Sequence, residues 1–83
     1  MKTDPIPSIR TFIIENIYGG KETPELQNDT PLISSRLMDS IVALKLVSYL
    51  ESAFGIEFEA HEVVQENLET INIIACFVQQ KLK

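Results

Sequence analysis

The chain has 83 residues, 45% of them hydrophobic, and a net charge of −5. That is enough apolar material for one small folded domain, and it places the chain outside the disordered class. The acidic balance leaves no electrostatic footprint for nucleic acid, one cysteine allows neither an internal disulfide nor a four-cysteine zinc site, and the apolar run Ile73 to Val78 is far short of the ~20 residues of a membrane span. Asp4, Pro5 and Pro7 stand where a signal peptide would need an apolar stretch. The expectation is a soluble, cytoplasmic, monomeric domain over residues 1–83 that works with partners.

Ile9, Phe12, Ile13 and Ile17 follow the helical period and predict a first helix. Asp4 or Ser8 could cap its start, the early prolines are tolerated in a first turn, and Gly19-Gly20 ends it. From Gly19 to Asp39 no period persists, and Pro24, Asn28, Asp29 and Pro31 punctuate the segment. A connection of that length in so short a chain is either functional or disordered. It contains Leu26, Leu32, Ile33 and Leu37, so it is expected to pack across the helices and to bury Leu32 and Leu37 in part.

A second helix is predicted from about Ser40 to Phe54, capped by Asp39 or Ser40 and stopped by Gly55. Ile56 and Phe58 read as anchors in an extended link. A short third helix fits Ala60 to about Gln65. A fourth starts after Thr70, its N-cap, and runs to about Leu82 with Ile71, Ile74, Ala75, Val78 and Leu82 as its core stripe. No segment reads well as a strand, so the fold class is an all-α bundle of three longer helices and one short one.

On a wheel of about 100° per residue, Val42, Ala43, Leu46, Val47, Tyr49, Leu50, Ala53 and Phe54 fill the core side of the second helix. Lys45, Ser48, Glu51 and Ser52 mark the wet side. Ile41 and Leu44 fall among these polar residues, where a core does not account for them. The first turn therefore offers a hydroxyl, Ser40, between two exposed apolar side chains. On the wheel alone, a simple helix cap with incidental apolar neighbours describes the same pattern.

The wider sequence resembles the acyl and peptidyl carrier proteins. The residues that carry the likeness are Asn28-Asp29-Thr30-Pro31-Leu32-Ile33, then Leu37-Met38-Asp39-Ser40-Ile41, then Phe54-Gly55-Ile56-Glu57-Phe58, and Glu66-Asn67-Leu68-Glu69-Thr70-Ile71 before the last helix. The family hallmark is an Asp-Ser-Leu-like tripeptide at the start of the second helix, here Asp39-Ser40-Ile41. The resemblance implies an acyl-carrier-like four-helix bundle and 4′-phosphopantetheine from coenzyme A esterified to Ser40, with Asp39 as the flanking motif residue. It also implies a phosphopantetheinyl transferase, a loading enzyme and downstream acyl-processing enzymes as partners. A helix N-terminus welcomes a phosphodiester, and the cargo rides as a thioester on the prosthetic thiol, so the chain itself is not an enzyme and needs no catalytic residues. Ile41 and Leu44 are the expected docking residues.

Two departures from the family shape this expectation. Arg36 and Leu37 occupy positions where the family often has glycine. Val42 and Lys45 stand where fatty-acid carriers have acids, and between Asp39 and Phe54 the only charges are Asp39, Lys45 and Glu51. That points to aminoacyl, aryl or specialised acyl cargo, in non-ribosomal peptide, polyketide or related secondary metabolism. The alternatives are a housekeeping fatty-acid carrier and an unmodified helical adaptor with the same fold.

Elsewhere, Leu46 to Gln80 contains no Lys or Arg but carries Glu51, Glu57, Glu59, Glu62, Glu66 and Glu69. These form a solvated acidic face or a steering surface for basic partners. His61 stands alone and reads as a surface or capping residue, and Glu57, Glu59 and Glu62 do not fit a calcium loop, so no metal site is expected. Cys76 reads as a small packed residue, and Tyr18 and Tyr49 as amphipathic packing residues.

Overall fold

Helix α1 (Ile6–Ile17) begins where Pro5 has already set a helical backbone, with Asp4 Oδ1 accepting from the Ile6 N–H at 3.1 Å. It ends at Tyr18, and the Gly20 N–H returns to the Ile14 carbonyl at 2.9 Å. In this computed structural model, which describes residues 4–21, 24 and 26–82, three further helices follow: α2 (Ser40–Phe54), α3 (Gln65–Leu68) and α4 (Ile71–Leu82), with a single 3₁₀ turn at Ala60–Glu62. The described residues contain no strand, so the all-α expectation holds.

Helix α4 is the hub, packed against α1, α2 and α3. Its Ile71, Ile74, Ala75 and Val78 meet Ile9, Ile13 and Ile14 of α1 and Ala43, Leu46, Val47 and Leu50 of α2 in one continuous core. No charged or polar side chain is buried among the described residues, so no desolvation penalty offsets the apolar burial. Phe12 stacks on Tyr49 with ring centres 5.1 Å apart, closing the α1–α2 side.

The long connection between α1 and α2 completes that core. Leu26, Leu32 and Met38 are buried as deeply as any helical residue, and Leu37 is half-buried. Backbone bonds stitch this segment to the α3–α4 junction: Leu32 N–H to Glu69 O at 2.7 Å and Asn72 N–H to Asn28 O at 2.9 Å. Arg10 Nη1 holds the Leu26 carbonyl at 2.8 Å. The loop satisfies its backbone partly through distant elements, which is the cost of covering a core with irregular chain.

Four details differ from the sequence expectation. The third helix does not run continuously from Ala60 to Gln65; the chain breaks at Val63 and the extended Val64 (φ −131°, ψ 160°) before α3 begins. A capping box between Glu59 and Glu62 closes the first turn on itself, and the two β-branched valines that follow do not extend it. Leu82, in the last turn of α4, is exposed rather than part of the α4 stripe. Cys76 and Ala53 are likewise exposed. Cys76 lies well round the helix from Ile71, Ile74 and Val78, whereas Ala53 lies within the α2 arc but in the last turn of the helix.

Candidate functional site

The start of α2 divides two roles between adjacent residues. Asp39 is the N-cap: its backbone is extended (φ −85°, ψ 179°) and its Oδ1 accepts from the Val42 N–H at 2.8 Å. Its carbonyl takes the Ala43 N–H at 2.9 Å. Ser40 is then the first helical residue, exposed, with no side-chain hydrogen bond among the described residues. Of the two caps that the sequence allowed, the carboxylate takes the position and leaves the hydroxyl free. The N–H groups of Ser40 and Ile41 have no intrahelical carbonyl to reach, so the surroundings of the hydroxyl favour negative charge.

Ile41 and Leu44 flank it with 64% and 59% of their surface exposed, the largest values among the exposed large hydrophobic residues described. Both follow from the wheel, which turns them away from the Leu46–Leu50 arc. Beside Leu44 opens a crevice of about 310 Å³, lined by Ile33, Met38, Ala43, Leu44, Val63, Val64 and Leu68, with Asp39, Ser40 and Gln65 as its polar members. The crevice is the space between the start of α2, the incoming loop and the Val63–Val64 break. Sequence reasoning did not find it.

Two carboxylates tie down the chain around it, and one of them, Glu69, holds lining residues directly. Glu69 Oε1 accepts from the Ile33 N–H (3.0 Å), the Ser34 N–H (2.9 Å) and the Ser34 hydroxyl (3.2 Å), while its Oε2 accepts from Gln65 Nε2 at 2.8 Å. The Ser34 N–H first, then Gln65, hold the Glu69 carboxyl below the usual carboxylate range. Outside the crevice lining, before Val63, Glu62 Oε1 accepts from the Glu59 N–H and meets Lys81 Nζ, each at 2.8 Å, and Asn67 Nδ2 holds the Glu62 carbonyl at 2.9 Å. The Glu59 N–H first, then Lys81, keep the Glu62 carboxyl low. Lys81 also lies over the stacked rings of Phe58 and Phe77, 5.5 and 5.2 Å from their centres. Sequence reasoning placed Glu62 and Glu69 only on an acidic face. The one local signal available was the Glu59–Glu62 spacing of a capping box.

The other candidates fall outside this site. His61 is exposed, 3.5 Å from the Glu59 carboxylate, and no group of three or more His, Cys, Asp or Glu among the described residues is placed to hold a metal ion. Among the described residues, no helix is long and apolar enough to cross a membrane.

Residues 18–75 match the family model described as the phosphopantetheine attachment site. D-alanyl carrier proteins of Lactococcus lactis are similar over 69 residues, 83% of this chain and 86% of theirs. The protein of subspecies cremoris strain MG1363 is 39% identical and that of subspecies lactis strain IL1403 is 38% identical. Among solved structures, a chain from a crystal structure of an FAD-dependent dehydrogenase aligns with a TM-score of 0.72 and 25% identity, covering 83% of this chain and 96% of that chain. Those two shares make the matched chain about the size of this one.

Proposed function

This chain belongs to the phosphopantetheine-attachment family of carrier proteins, and we propose that Ser40 bears its arm and that the cargo is a small aminoacyl group of the D-alanyl kind. The family is non-catalytic: its members carry 4′-phosphopantetheine covalently and are substrates of the transferase and loading enzymes. The observation that supports Ser40 is the division of labour at the head of α2. Asp39 satisfies the Val42 N–H, so the Ser40 hydroxyl is exposed and uncommitted at a helix N-terminus. Ser40 Oγ would lose its proton and form the phosphodiester as the coenzyme A pyrophosphate is cleaved, releasing the adenosine bisphosphate. The unpaired N–H groups at the helix start suit the resulting negative charge. When attached, the group supplies a thiol for thioester formation, held at high local concentration for each enzyme the carrier visits.

The aminoacyl reading draws support from the D-alanyl carrier relatives and from the scarcity of acids on α2, where Val42 and Lys45 replace the carboxylates of a fatty-acid carrier. It sets the chain in a specialised pathway rather than housekeeping fatty-acid synthesis, acting as one cytoplasmic carrier domain. Docking of the transferase and of the loading enzyme falls to Ile41 and Leu44.

Intact mass after incubation with coenzyme A and a broad-specificity phosphopantetheinyl transferase tests the attachment site. The wild-type chain should gain one phosphopantetheinyl group and Ser40→Ala none; a gain in the alanine variant would overturn the assignment. The modified protein, given ATP and a D-alanine-activating ligase, should form a hydroxylamine-labile D-alanyl adduct. Loading by a fatty acyl ligase in preference would overturn the cargo reading.

A further inference from the structure

Two short stretches of chain line the crevice away from α2, and each is anchored at its ends. On the loop side, residues 33–37 hang between the buried Leu32 and Met38, and the Met38 N–H closes the base on the Leu32 carbonyl at 2.9 Å. Within this loop the Arg36 N–H returns to the Ile33 carbonyl at 2.9 Å, and Ser34, Ser35 and Arg36 are exposed. On the α3 side, residues 63–67 hang between Glu62, pinned to Lys81, and the buried Leu68. Their own bonds are short-range: Asn67 N–H to Val64 O at 3.1 Å and Asn67 Nδ2 to Glu62 O at 2.9 Å. Val64, Gln65 and Glu66 are exposed.

One side chain joins the two stretches. Glu69 sits at the pivot, where its carbonyl accepts from the Leu32 N–H at 2.7 Å. Its Oε1 takes the N–H groups of Ile33 and Ser34 and the Ser34 hydroxyl, and its Oε2 takes the Gln65 amide. Among the described residues no hydrogen bond runs directly from one stretch to the other, so the carboxylate bridges them. Ile33 and Gln65, which it holds, both line the crevice beside Ser40. The bridging bonds are exposed or partly buried, so water replaces them at small net cost. Segments with few buried side chains and solvated backbone bonds open at low free energy, separately from the core.

We propose that the Glu69 carboxylate is a latch that makes these two stretches one opening unit. On release, residues 33–37 and 63–67 part about the Leu32–Glu69 main-chain bond while α1, α2 and α4 stay packed. The crevice then widens from its Ile33–Gln65 side and uncovers Met38 and Leu68 next to Ser40. The head of α2 takes no part, since Asp39 Oδ1 stays on the Val42 N–H. The latch is independent of the arm and stands whether or not Ser40 bears one.

The test is methyl and amide relaxation dispersion by NMR on the full unmodified chain, which reads opening on the μs–ms timescale. Ile33 and Ser34 on one side and Val63, Val64 and Gln65 on the other should exchange at one shared rate, with no exchange at Leu46, Leu50, Ile74 or Val78. Glu69→Ala removes every bridging bond and should raise the open population at least about fivefold, with the two sides now at different rates. Gln65→Ala cuts only the Oε2 end at an exposed position, so it keeps the experiment decisive if Glu69→Ala does not fold. It should raise the open population sensed at Ile33 and Ser34 at least about twofold, although their own bonds to Oε1 are untouched. A purely local role for Gln65 would leave Ile33 and Ser34 unchanged and would overturn the proposal. So would absent dispersion, different rates on the two sides of the wild-type crevice, or exchange shared with the core. Ser40→Ala should show the wild-type exchange, which separates a failure of the latch from a failure of the attachment site, read only in the intact mass.

Discussion

Neighbouring substitutions at the head of α2 should have opposite consequences. Asp39 Oδ1 accepts from the Val42 N–H at 2.8 Å, whereas Ser40 is exposed and makes no side-chain bond. Asp39→Ala removes an N-cap, a loss of about 1 kcal/mol within a range of about 0.5–2. A single core of this size supplies only about 3–5 kcal/mol, so the cap is a substantial share of the total. For a domain of this length about 1 kcal/mol corresponds to about 4–8 °C in Tm. Ser40→Ala removes a solvated hydroxyl and improves helix propensity, so its effect should stay within about 0.5 kcal/mol of zero. Thermal melts of the two unmodified variants by far-UV circular dichroism measure the contrast. Ser40→Ala melting as low as Asp39→Ala, or Asp39→Ala melting with the wild-type chain, would refute the assignment of the cap to Asp39. The same contrast matters for function, because a stable Ser40→Ala protein ties a loss of modification to the missing hydroxyl rather than to unfolding.

Ile41→Asp and Leu44→Asp should leave Tm nearly unchanged while slowing loading, since 64% and 59% of these side chains are already in water; a large drop in Tm would show them to be core. Leu32→Ala empties a fully buried position and should cost about 2–5 kcal/mol, comparable to the whole stability, so urea melts should show a largely unfolded chain; a stable variant would mean that the loop is not part of the core. Gly55→Ala places a Cβ at φ +65°, where the residue caps α2, and should cost about 1 kcal/mol, read as a lower urea midpoint at unchanged slope; an unchanged midpoint would refute the left-handed cap. Glu69 has its folded pKa depressed below 4.5 by the Ser34 N–H, Gln65 and the Ile33 N–H, so its contribution is present above the unfolded pKa and is lost as pH falls through the folded one. Tm measured from about pH 6 down to about pH 3 should therefore fall less steeply in Glu69→Gln than in the wild-type chain, and an identical acid limb would refute the clamp.

The three longer helices were legible because their signals are local. The period of Ile9, Phe12, Ile13 and Ile17, the acid–serine pair before Ile41, and Gly55 after Phe54 each act within a turn or two of chain, and α2 spans Ser40–Phe54 as its residues indicate. The same wheel that defined the α2 core arc left Ile41 and Leu44 outside it, so the exposed apolar flank of Ser40 could be read without coordinates. The choice between Asp39 and Ser40 as cap could not, since both residue types accept from a first-turn N–H and only the backbone at Asp39 selects one. The period likewise gives the direction of Cys76 or Leu82 from the helix axis but not whether a neighbour stands there to cover it.

The crevice and the ties around it belong wholly to the tertiary structure. The Glu69 carboxylate reaches Ile33 across 36 positions of sequence, and Glu62 meets Lys81 across 19. Val63 and Val64 interrupt what a short-range reading takes for one helix. Helix periodicity and capping are settled among residues close in sequence. A carboxylate that pins a loop takes its partners from whatever chain the fold brings within hydrogen-bonding distance, and no spacing in the sequence encodes that distance.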